Sequence, residues 1–322
     1  MIKSPICDIL GIKYPLFQGG MAWIADARLA AAVSNAGGLG IIAAGAAPVE
    51  FVRDEIRRAK QLTDKPFAVN IMLLNPNAPE LAQLVIDEGI KVVTTGAGSP
   101  AKYMKAWKEA GIKVIPVIAS TAYAKRMERM GADAVIAEGM ESGGHIGETT
   151  TMALLPQVVD AVSIPVICAG GVADGRGMAA ARIFGAEGVQ CGTIFLSAEE
   201  CNISQQYKDM VYKANDISTV VTGRASGHPV RSLKSPLSRR LVKMEGHIET
   251  RTLEEIEMIT AGSLRKAVQD GNVEEGTFMS GQIAGLVNGP SDCKTILETM
   301  VGDAERILAH APALIGTGEN DG

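Results

Sequence analysis

The chain has 322 residues and a net charge of −5, with 47% hydrophobic and 21% charged residues. This balance excludes wholesale disorder, and the acidic total argues against nucleic acid as a general partner. Aromatic residues contribute only 4%, so Ala, Val, Ile, Leu and Met must fill the interior, as they do where strands are buried on both faces.

Cysteine usage and the lack of long apolar segments predict the compartment. The five cysteines are scattered, odd in number and free of C-x-x-C spacing, a pattern that predicts neither a disulfide framework nor a zinc site. The N-terminal stretch lacks a charged region followed by a long apolar one, and no uncharged run could span a bilayer. We therefore expect a soluble, cytoplasmic protein without a metal site.

A repeating order of apolar strand, loop, amphipathic helix and glycine runs through residues 1–196. Helix ends are predicted where a glycine precedes the next β-branched run, at Gly37, Gly89, Gly111, Gly131 and Gly185. Helix starts are predicted at Pro48, Ser99-Pro100, Thr121 and Asp174. The apolar runs predict eight strands, at Tyr14–Phe17, Gly40–Ala44, Phe67–Met72, Val92–Thr95, Val114–Ile118, Ala134–Ala137, Pro165–Ala169 and Gly188–Cys191.

Eight such units in about 200 residues predict an α/β fold of the (β/α)8 TIM-barrel type. A doubly wound open sheet is the alternative, although no G-x-G-x-x-G turn follows the first strand. Beyond residue 196 the alternation stops, and residues 197–310 are expected to form an irregular and helical extension, with few strands, that packs on the barrel mouth. The polar, glycine-rich tail 311–322 is expected to be disordered.

Glycine-rich patches follow the predicted strands at their carboxyl ends, where barrels of this type carry their functional groups. They are IAEGMESGGHIGETT at 136–150, Gly170-Gly171 after the seventh strand, and Gln190 to Thr193 at the eighth. Because glycine has no Cβ, backbone N–H groups in the last two patches can approach an anion closely. These two patches therefore predict a phosphate held by backbone amides, which fits phosphorylated sugars and nucleotides alike.

His145 adds a titratable group to the first patch, in a glycine loop that we expect to be flexible. An imidazole titrates near neutral pH, so a lone histidine beside a phosphate site is a candidate catalytic group. Gly19, Gly20 and Met21 follow the first strand, and Asn70 lies near the end of the third. Glu138 is either a site residue or a structural residue that caps a helix or pairs with a lysine, and Asn70 is either a site residue or a turn residue. For Cys191 we expect a buried apolar role rather than redox chemistry.

Four stretches of the chain resemble a known family. They are FQGGMAWIADARLAAAVSNAGGLGIIAAG, EGMESGGHIGETTTMALLPQVVD, ICAGGVADGRGMAAARIFGAEGVQCGT and TGRASGHPVR. They are similar to the FMN-dependent enoyl-acyl-carrier-protein reductases of the FabK type, within the nitronate monooxygenase superfamily. The similarity runs from about residue 5 to about residue 308, and ESGGHIGE is what favours the reductase branch.

The resemblance implies that FMN binds at the barrel mouth and that NADH or NADPH is the co-substrate. The implied reaction reduces a trans-2-enoyl-acyl-carrier-protein, the last step of the fatty-acid elongation cycle, with His145 as the active-site histidine. The family also makes a homodimer plausible. The resemblance implies contacts to FMN from Gly19, Gly20, Met21, Asn70, Glu138, Gly143, Gly144, Gly170, Gly171, Gln190, Cys191, Gly192 and Thr193.

A basic run interrupts the acidic chain between Asp216 and Glu245, where no other acidic residue occurs. It contains Arg224, Arg231, Lys234, Arg239, Arg240 and Lys243. One interpretation is a solvated surface segment. The other is a docking site for an acidic acyl carrier protein or a contact to a nucleotide phosphate, because complementary charge steers such encounters.

Two other functions remain open at this stage. A nitronate monooxygenase would have the same fold and the same FMN, with His145 as the base that removes the α-proton of a nitroalkane and O₂ as oxidant. A phosphate-binding barrel without flavin would use the glycine patches alone. The colour of the purified protein and an anaerobic NADH assay with an enoyl thioester separate the three.

Overall fold

A computed structural model describes residues 2–45, 47–246 and 253–311. Eight parallel strands lie in the order β1-β9-β8-β6-β5-β4-β3-β2, and the predicted (β/α)8 barrel is confirmed. Each observed strand lies within two residues of its predicted bounds. The strands are β1 (Leu16–Gln18), β2 (Gly40–Ala43), β3 (Phe67–Met72), β4 (Val92–Gly96), β5 (Lys113–Ile118), β6 (Val135–Glu138), β8 (Val166–Ala169) and β9 (Gly188–Cys191).

A short seam between β1 and β2 closes the barrel. Leu39 N donates to Leu16 O at 2.9 Å, and Gln18 N donates to Leu39 O at 3.0 Å. The buried Gln18 side chain adds to this ladder, because its Oε1 accepts from Ile41 N at 3.2 Å and its Nε2 donates to Ile41 O at 3.3 Å. A side-chain amide therefore continues the pairing that the three-residue strand β1 is too short to complete.

Helices surround the barrel, and the five predicted terminal glycines all have positive φ just beyond a helix. The N-terminal helix is α1 (Pro5–Leu10), whose buried Ile6 and Leu10 pack beneath inward-facing Phe17, Ile41 and Ile136. None of the helices in the described ranges is long and apolar enough to cross a bilayer. The next helices are α2 (Ala27–Asn35), α3 (Val49–Leu62), α4 (Ala78–Asp87), α5 (Ala101–Glu109), α6 (Thr121–Arg129), α7 (Thr151–Val159) and α8 (Gly175–Ile183).

The last helix of the described residues occupies the place of an eighth barrel helix. A 3₁₀ turn, Thr193–Ser197, follows β9, and the long helix α13 (Cys293–His310) packs between α8 and α2. The chain leaves and re-enters the barrel at adjoining points, since Glu199 N donates to Ser291 O at 2.8 Å. We therefore propose that the segment between these two residues is an insertion, and that α13 belongs to the barrel rather than to an extension at its mouth.

The inserted segment contains a β-hairpin that the sequence did not indicate. Strands β10 (Thr219–Thr222) and β11 (Val230–Leu233) pair antiparallel, and β11 also pairs with the two-residue strand β7 (Gly144–His145). The expected irregular structure is thus partly a three-stranded sheet. The described part of the inserted segment also contains the α-helices α9 (Gln205–Tyr212), α10 (Pro236–Glu245), α11 (Leu253–Thr260) and the single turn α12 (Ser263–Arg265). The tail predicted to be disordered lies outside the described residues from 312 onward.

Candidate active site at the mouth of the barrel

A layer of polar side chains covers the apolar barrel core at the carboxyl ends of the strands. Side chains alternate between the two faces of a strand, so Asn70, Thr94 and Glu138 point inward two residues beyond the core residues Ala68, Val92 and Ile136. The layer is completed by Gln190, which is paired in register with the inward-facing Ala169. The layer is internally bonded, since Asn70 Nδ2 donates to Thr94 Oγ1 at 2.9 Å.

The loop after β1 approaches this polar layer so closely that a side chain at Gly20 would collide with it. A Cβ atom at Gly20 would lie 2.5 Å from Cβ of Asn70, and one at Gly19 would lie 3.2 Å from Cδ of Gln190. Gly19 N donates to Cys191 O at 2.9 Å, which ties the loop to β9. The structure therefore brings Gly19, Gly20, Asn70 and Gln190 together, as the sequence predicted from strand ends alone.

Backbone donors gather at the ends of β8 and β9. Within the described chain, none of the N–H groups of Gly170, Gly171, Gly192 and Thr193 donates to another protein group. Gly170 and Gly171 have φ values of 83° and 77°, a conformation that side-chain-bearing residues rarely adopt. Adjacent N–H groups without protein acceptors, at two neighbouring strand ends, are the arrangement that binds a phosphate.

The side chains of Met21 and Cys191 lie differently relative to these backbone N–H groups. The Met21 side chain is near these N–H groups, because Met21 Sδ would lie 3.4 Å from a Cβ atom at Gly192. The Cys191 side chain instead packs among the helices outside the barrel, and burial raises the pKa of its thiol. The buried apolar role expected for Cys191 is confirmed, so it could contribute to the site only through its main chain.

The loop that carries His145 is fixed on both sides by the inserted segment. Val230 pairs with His145 and Arg231 pairs with Gly144, in the β11–β7 ladder. On the other side Gln282 N donates to Glu141 O at 2.9 Å, and a Cβ atom at Gly143 would lie 2.6 Å from the Ser280 carbonyl carbon. The expectation of a flexible loop is therefore wrong, because a distant part of the chain pairs with it.

His145 itself reaches solvent at the mouth. The surrounding protein removes part of the hydration of its ring and so lowers the pKa of the imidazole, and the neighbouring His228 lowers this pKa further. Both effects disfavour the charged form. The ring is therefore largely neutral at neutral pH, and can accept a proton at one nitrogen and donate a hydrogen bond from the other.

Several residues of the mouth were not identified from the sequence. Glu141 accepts hydrogen bonds from Thr151 N and Thr151 Oγ1, each at 2.9 Å, and Thr151 Oγ1 lies 2.9 Å from Gly170 O. This chain of contacts joins the His145 loop to the end of β8. Thr94 could have been found, because two threonines close the otherwise apolar run VVTTG. Met279, whose Sδ would be 3.4 Å from a Cβ atom at Gly144, left no local signal.

The basic run divides into one buried and five exposed residues. Arg231 is only 5% exposed and donates from Nε and Nη2 to Met140 O at 3.1 and 3.0 Å. Its inclusion among the carrier-docking residues is therefore wrong, because its guanidinium is turned into the protein. Arg224 is exposed and pairs with Glu148 at 2.8 Å. The other exposed members are Lys234, Arg239, Arg240 and Lys243.

Comparison with known proteins identifies the group to which this barrel belongs. A family model described as nitronate monooxygenase matches residues 3–303, which is nearly the whole chain. The chain belongs to the nitronate monooxygenase family. The resemblance inferred from the glycine-rich motifs is thereby confirmed.

Three similar proteins show the range of activities within the family. The solved structure of FabK from Thermotoga maritima is 48% identical with a TM-score of 0.95, and the match covers 98% of this chain and 100% of that one. The (3aS,4S,5R,7aS)-5-hydroxy-7a-methyl-1-oxo-octahydro-1H-indene-4-carboxyl-CoA dehydrogenase of Mycobacterium tuberculosis is 36% identical over 98% of this chain and 99% of its own. A probable nitronate monooxygenase of Staphylococcus saprophyticus is 33% identical over 95% and 99%. These relatives are oxidoreductases, which supports that class for this member of the nitronate monooxygenase family.

From the carboxyl of Glu138 we predict that the folding stability of this family member depends on pH. Burial raises the pKa of its carboxyl from 4.5 to about 7, while the nearby Ser142 hydroxyl partly opposes the shift. Between these two values the unfolded chain has lost the proton and the folded chain keeps it, so folding stability must fall as the pH rises, by up to about 3 kcal/mol. Above the folded pKa the loss levels off.

Urea unfolding of protein freed of bound small molecules, between about pH 5 and pH 8, measures this dependence. Glu138→Gln should abolish it, whereas Glu80→Gln, at an exposed position in the first turn of α4, should not. A wild-type stability that is flat over this range, or that follows the same curve in Glu138→Gln, would contradict the raised pKa.

Proposed function

We propose that the protein reduces the carbon–carbon double bond of a trans-2-enoyl thioester on an acyl carrier protein, with bound FMN and with NADH or NADPH. The observation that carries this proposal is the 48% identity to FabK of Thermotoga maritima over almost the whole of both chains. The stretch ESGGHIGE belongs to the same resemblance. The Mycobacterium tuberculosis relative is named for a coenzyme A thioester, which also favours an acyl thioester as the substrate class.

The residues at the mouth fit FMN. Four N–H groups without protein acceptors, from Gly170, Gly171, Gly192 and Thr193, would bind its phosphate. Asn70, Glu138 and Gln190 would bond the polar edge of the isoalloxazine, and the residues beside the ring would be Gly19, Gly20, Met21, Gly143 and Gly144. Bound FMN supplies hydride transfer, and the protein supplies binding, orientation and electrostatics.

His145 would act on the substrate. Reduction of an enoyl thioester needs a proton at the α-carbon, and charge develops on the thioester carbonyl oxygen. A neutral imidazole can donate a hydrogen bond to that oxygen, and its protonated fraction can deliver the proton. The β11–β7 pairing fixes the backbone from which the ring projects, so the donor is held in place before substrate arrives.

Nitronate monooxygenase activity is the second candidate. The lowered pKa of His145 favours it specifically, because a largely neutral imidazole can serve as the base that removes the α-proton of a nitroalkane. The Staphylococcus saprophyticus relative is named for this activity. The same flavin site would serve either reaction, so the substrate assay must decide.

The FMN site is tested by Gly192→Val. Gly192 has a φ of −111°, which valine can adopt, so the new side chain fills space near Met21 without forcing the backbone. We expect folded protein that has lost its visible flavin absorbance. Gly302→Val in α13, where a Cβ atom meets nothing within 4 Å, is the matched control and should remain yellow.

Full flavin content in a well-folded Gly192→Val protein would contradict this phosphate site. A colourless wild-type protein that takes up no added FMN would support the flavin-free phosphate-binding barrel instead.

The reaction is tested with His145→Ala under anaerobic conditions. We expect unchanged flavin content and a roughly 10²–10⁴-fold loss of thioester-dependent NADH or NADPH oxidation, the range typical of a general acid. His228→Ala removes a neighbour that lowers the pKa of His145. That variant should stay active, with the limb of its pH–rate profile that reports His145 moved to higher pH.

Unchanged turnover in His145→Ala would show that the proton comes from elsewhere. Oxygen consumption with a nitroalkane, in a protein that does not reduce enoyl thioesters, would favour the second candidate.

We further propose that the exposed basic residues of the inserted segment dock the carrier protein. Arg239, Arg240 and Lys243 lie on the solvent side of α10, opposite the buried Leu237 and Leu241. Helix α10 directly follows β11, the strand that pairs with the His145 loop, so the basic face lies on the element adjoining the active site. Acyl carrier proteins are acidic, so charge attraction would bring the thioester to this side of the mouth.

Charge reversal in Arg239→Glu/Arg240→Glu should slow the reaction of carrier-bound substrate and leave an N-acetylcysteamine thioester almost unaffected. Because exposed charges are screened over about 8 Å at physiological salt, the wild-type advantage should shrink as salt is added. The control is Lys102→Glu/Lys105→Glu on α5, another exposed basic pair. Equal losses on both substrates would contradict docking at α10.

A further inference from the structure

Arg231 is a buried cation without a charged hydrogen-bonding partner. Its guanidinium donates twice to Met140 O and once to Thr219 Oγ1, at 3.1 Å, so its acceptors in the described residues are neutral oxygens. Burial lowers the pKa of this guanidinium, and the carboxylate of Glu141, which bonds Thr151, partly opposes that shift. Such a charge is costly to bury, and an apolar residue of similar volume is often as stabilising or more so.

The same residue contacts the active-site loop at two points. Its side chain binds the carbonyl of Met140, near the start of the loop, and its main chain pairs with Gly144, directly before His145. The loop between these points contains Ser142, whose hydroxyl is buried without a hydrogen-bond partner among the described residues, and Gly143, which packs on Ser280. One residue thus contacts the loop both near the end of β6 and directly before the histidine.

We propose that Arg231 is a positioning residue that holds the His145 loop in its reactive geometry. Its Nε and Nη2 converge on one carbonyl oxygen, and the single ammonium of lysine cannot reproduce this planar pair of donors. This inference rests on the substrate role proposed for His145. A displacement of about 1 Å at a reacting group can lower a rate by about 10²-fold, so losing this anchor should reduce turnover without removing a catalytic group.

The test compares Arg231→Met and Arg231→Lys with Arg182→Met in flavin-loaded protein. Arg182 also donates to a main-chain oxygen, that of Ala186 at 2.5 Å, but α8 carries it at the opposite end of the barrel. Thioester-dependent turnover should fall roughly 10- to 100-fold in Arg231→Met and less in Arg231→Lys. In both Arg231 variants, oxidation of NADH or NADPH without thioester should stay within about twofold of wild type. In Arg182→Met, the rates with and without thioester should both stay within about twofold.

A second readout is independent of activity. Titration of the His145 ring by NMR should give a pKa closer to about 6.5 in Arg231→Met than in wild type, because a loosened loop is better hydrated. Equal losses in both reactions with an unmoved His145 pKa would show a merely structural residue and overturn the proposal. Failure of wild-type protein to reduce any enoyl thioester would refute the proposed function, and the His145 titration would still decide the role of Arg231.

Discussion

The seam between β1 and β2 is the constraint on which the rest of the molecule depends. A barrel has no free edge only if the two edge strands of its sheet meet; here these are β1 and β2, and β1 is only three residues long. The amide of Gln18 supplies the hydrogen bonds that the short strand lacks, by bonding both main-chain groups of Ile41. The positions of the groups at the mouth depend on this closed ring. They include the approach of Gly20 to Asn70 and the neighbouring ends of β8 and β9.

The barrel strands and the inserted segment contribute different groups to the mouth. The barrel strands provide backbone donors and a polar layer whose positions follow from strand register. The inserted segment provides a partner for the loop that the barrel leaves unpaired, through β11 on one side and the residues around Gly281 on the other. Binding groups are therefore on rigid elements, while the proposed catalytic histidine depends on a contact between distant parts of the chain.

Local signals were enough to predict the barrel. Strand bounds and the glycines beyond helix ends follow from neighbouring residues, so Phe67–Met72 and Gly188–Cys191 were predicted without error. The convergence of Gly19, Asn70 and Gln190 followed from the rule that parallel strand ends meet. The β10–β11 hairpin was missed because its runs are short and because β11 also pairs with Gly144 and His145, which are distant in the sequence. For the same reason Arg231 looked like a surface charge, since nothing in its neighbourhood reveals the carbonyl of Met140.

The position of α13 affects how the protein is made. Its buried face covers α8 and α2, yet it is synthesised only after the whole inserted segment. Until it emerges, the apolar surfaces of α8 and α2 stay open to water and to other chains, although all eight strands have long been synthesised. The barrel can therefore reach its final packing only after α13 has been synthesised, and a chain cut short in the inserted segment would expose a face that favours aggregation.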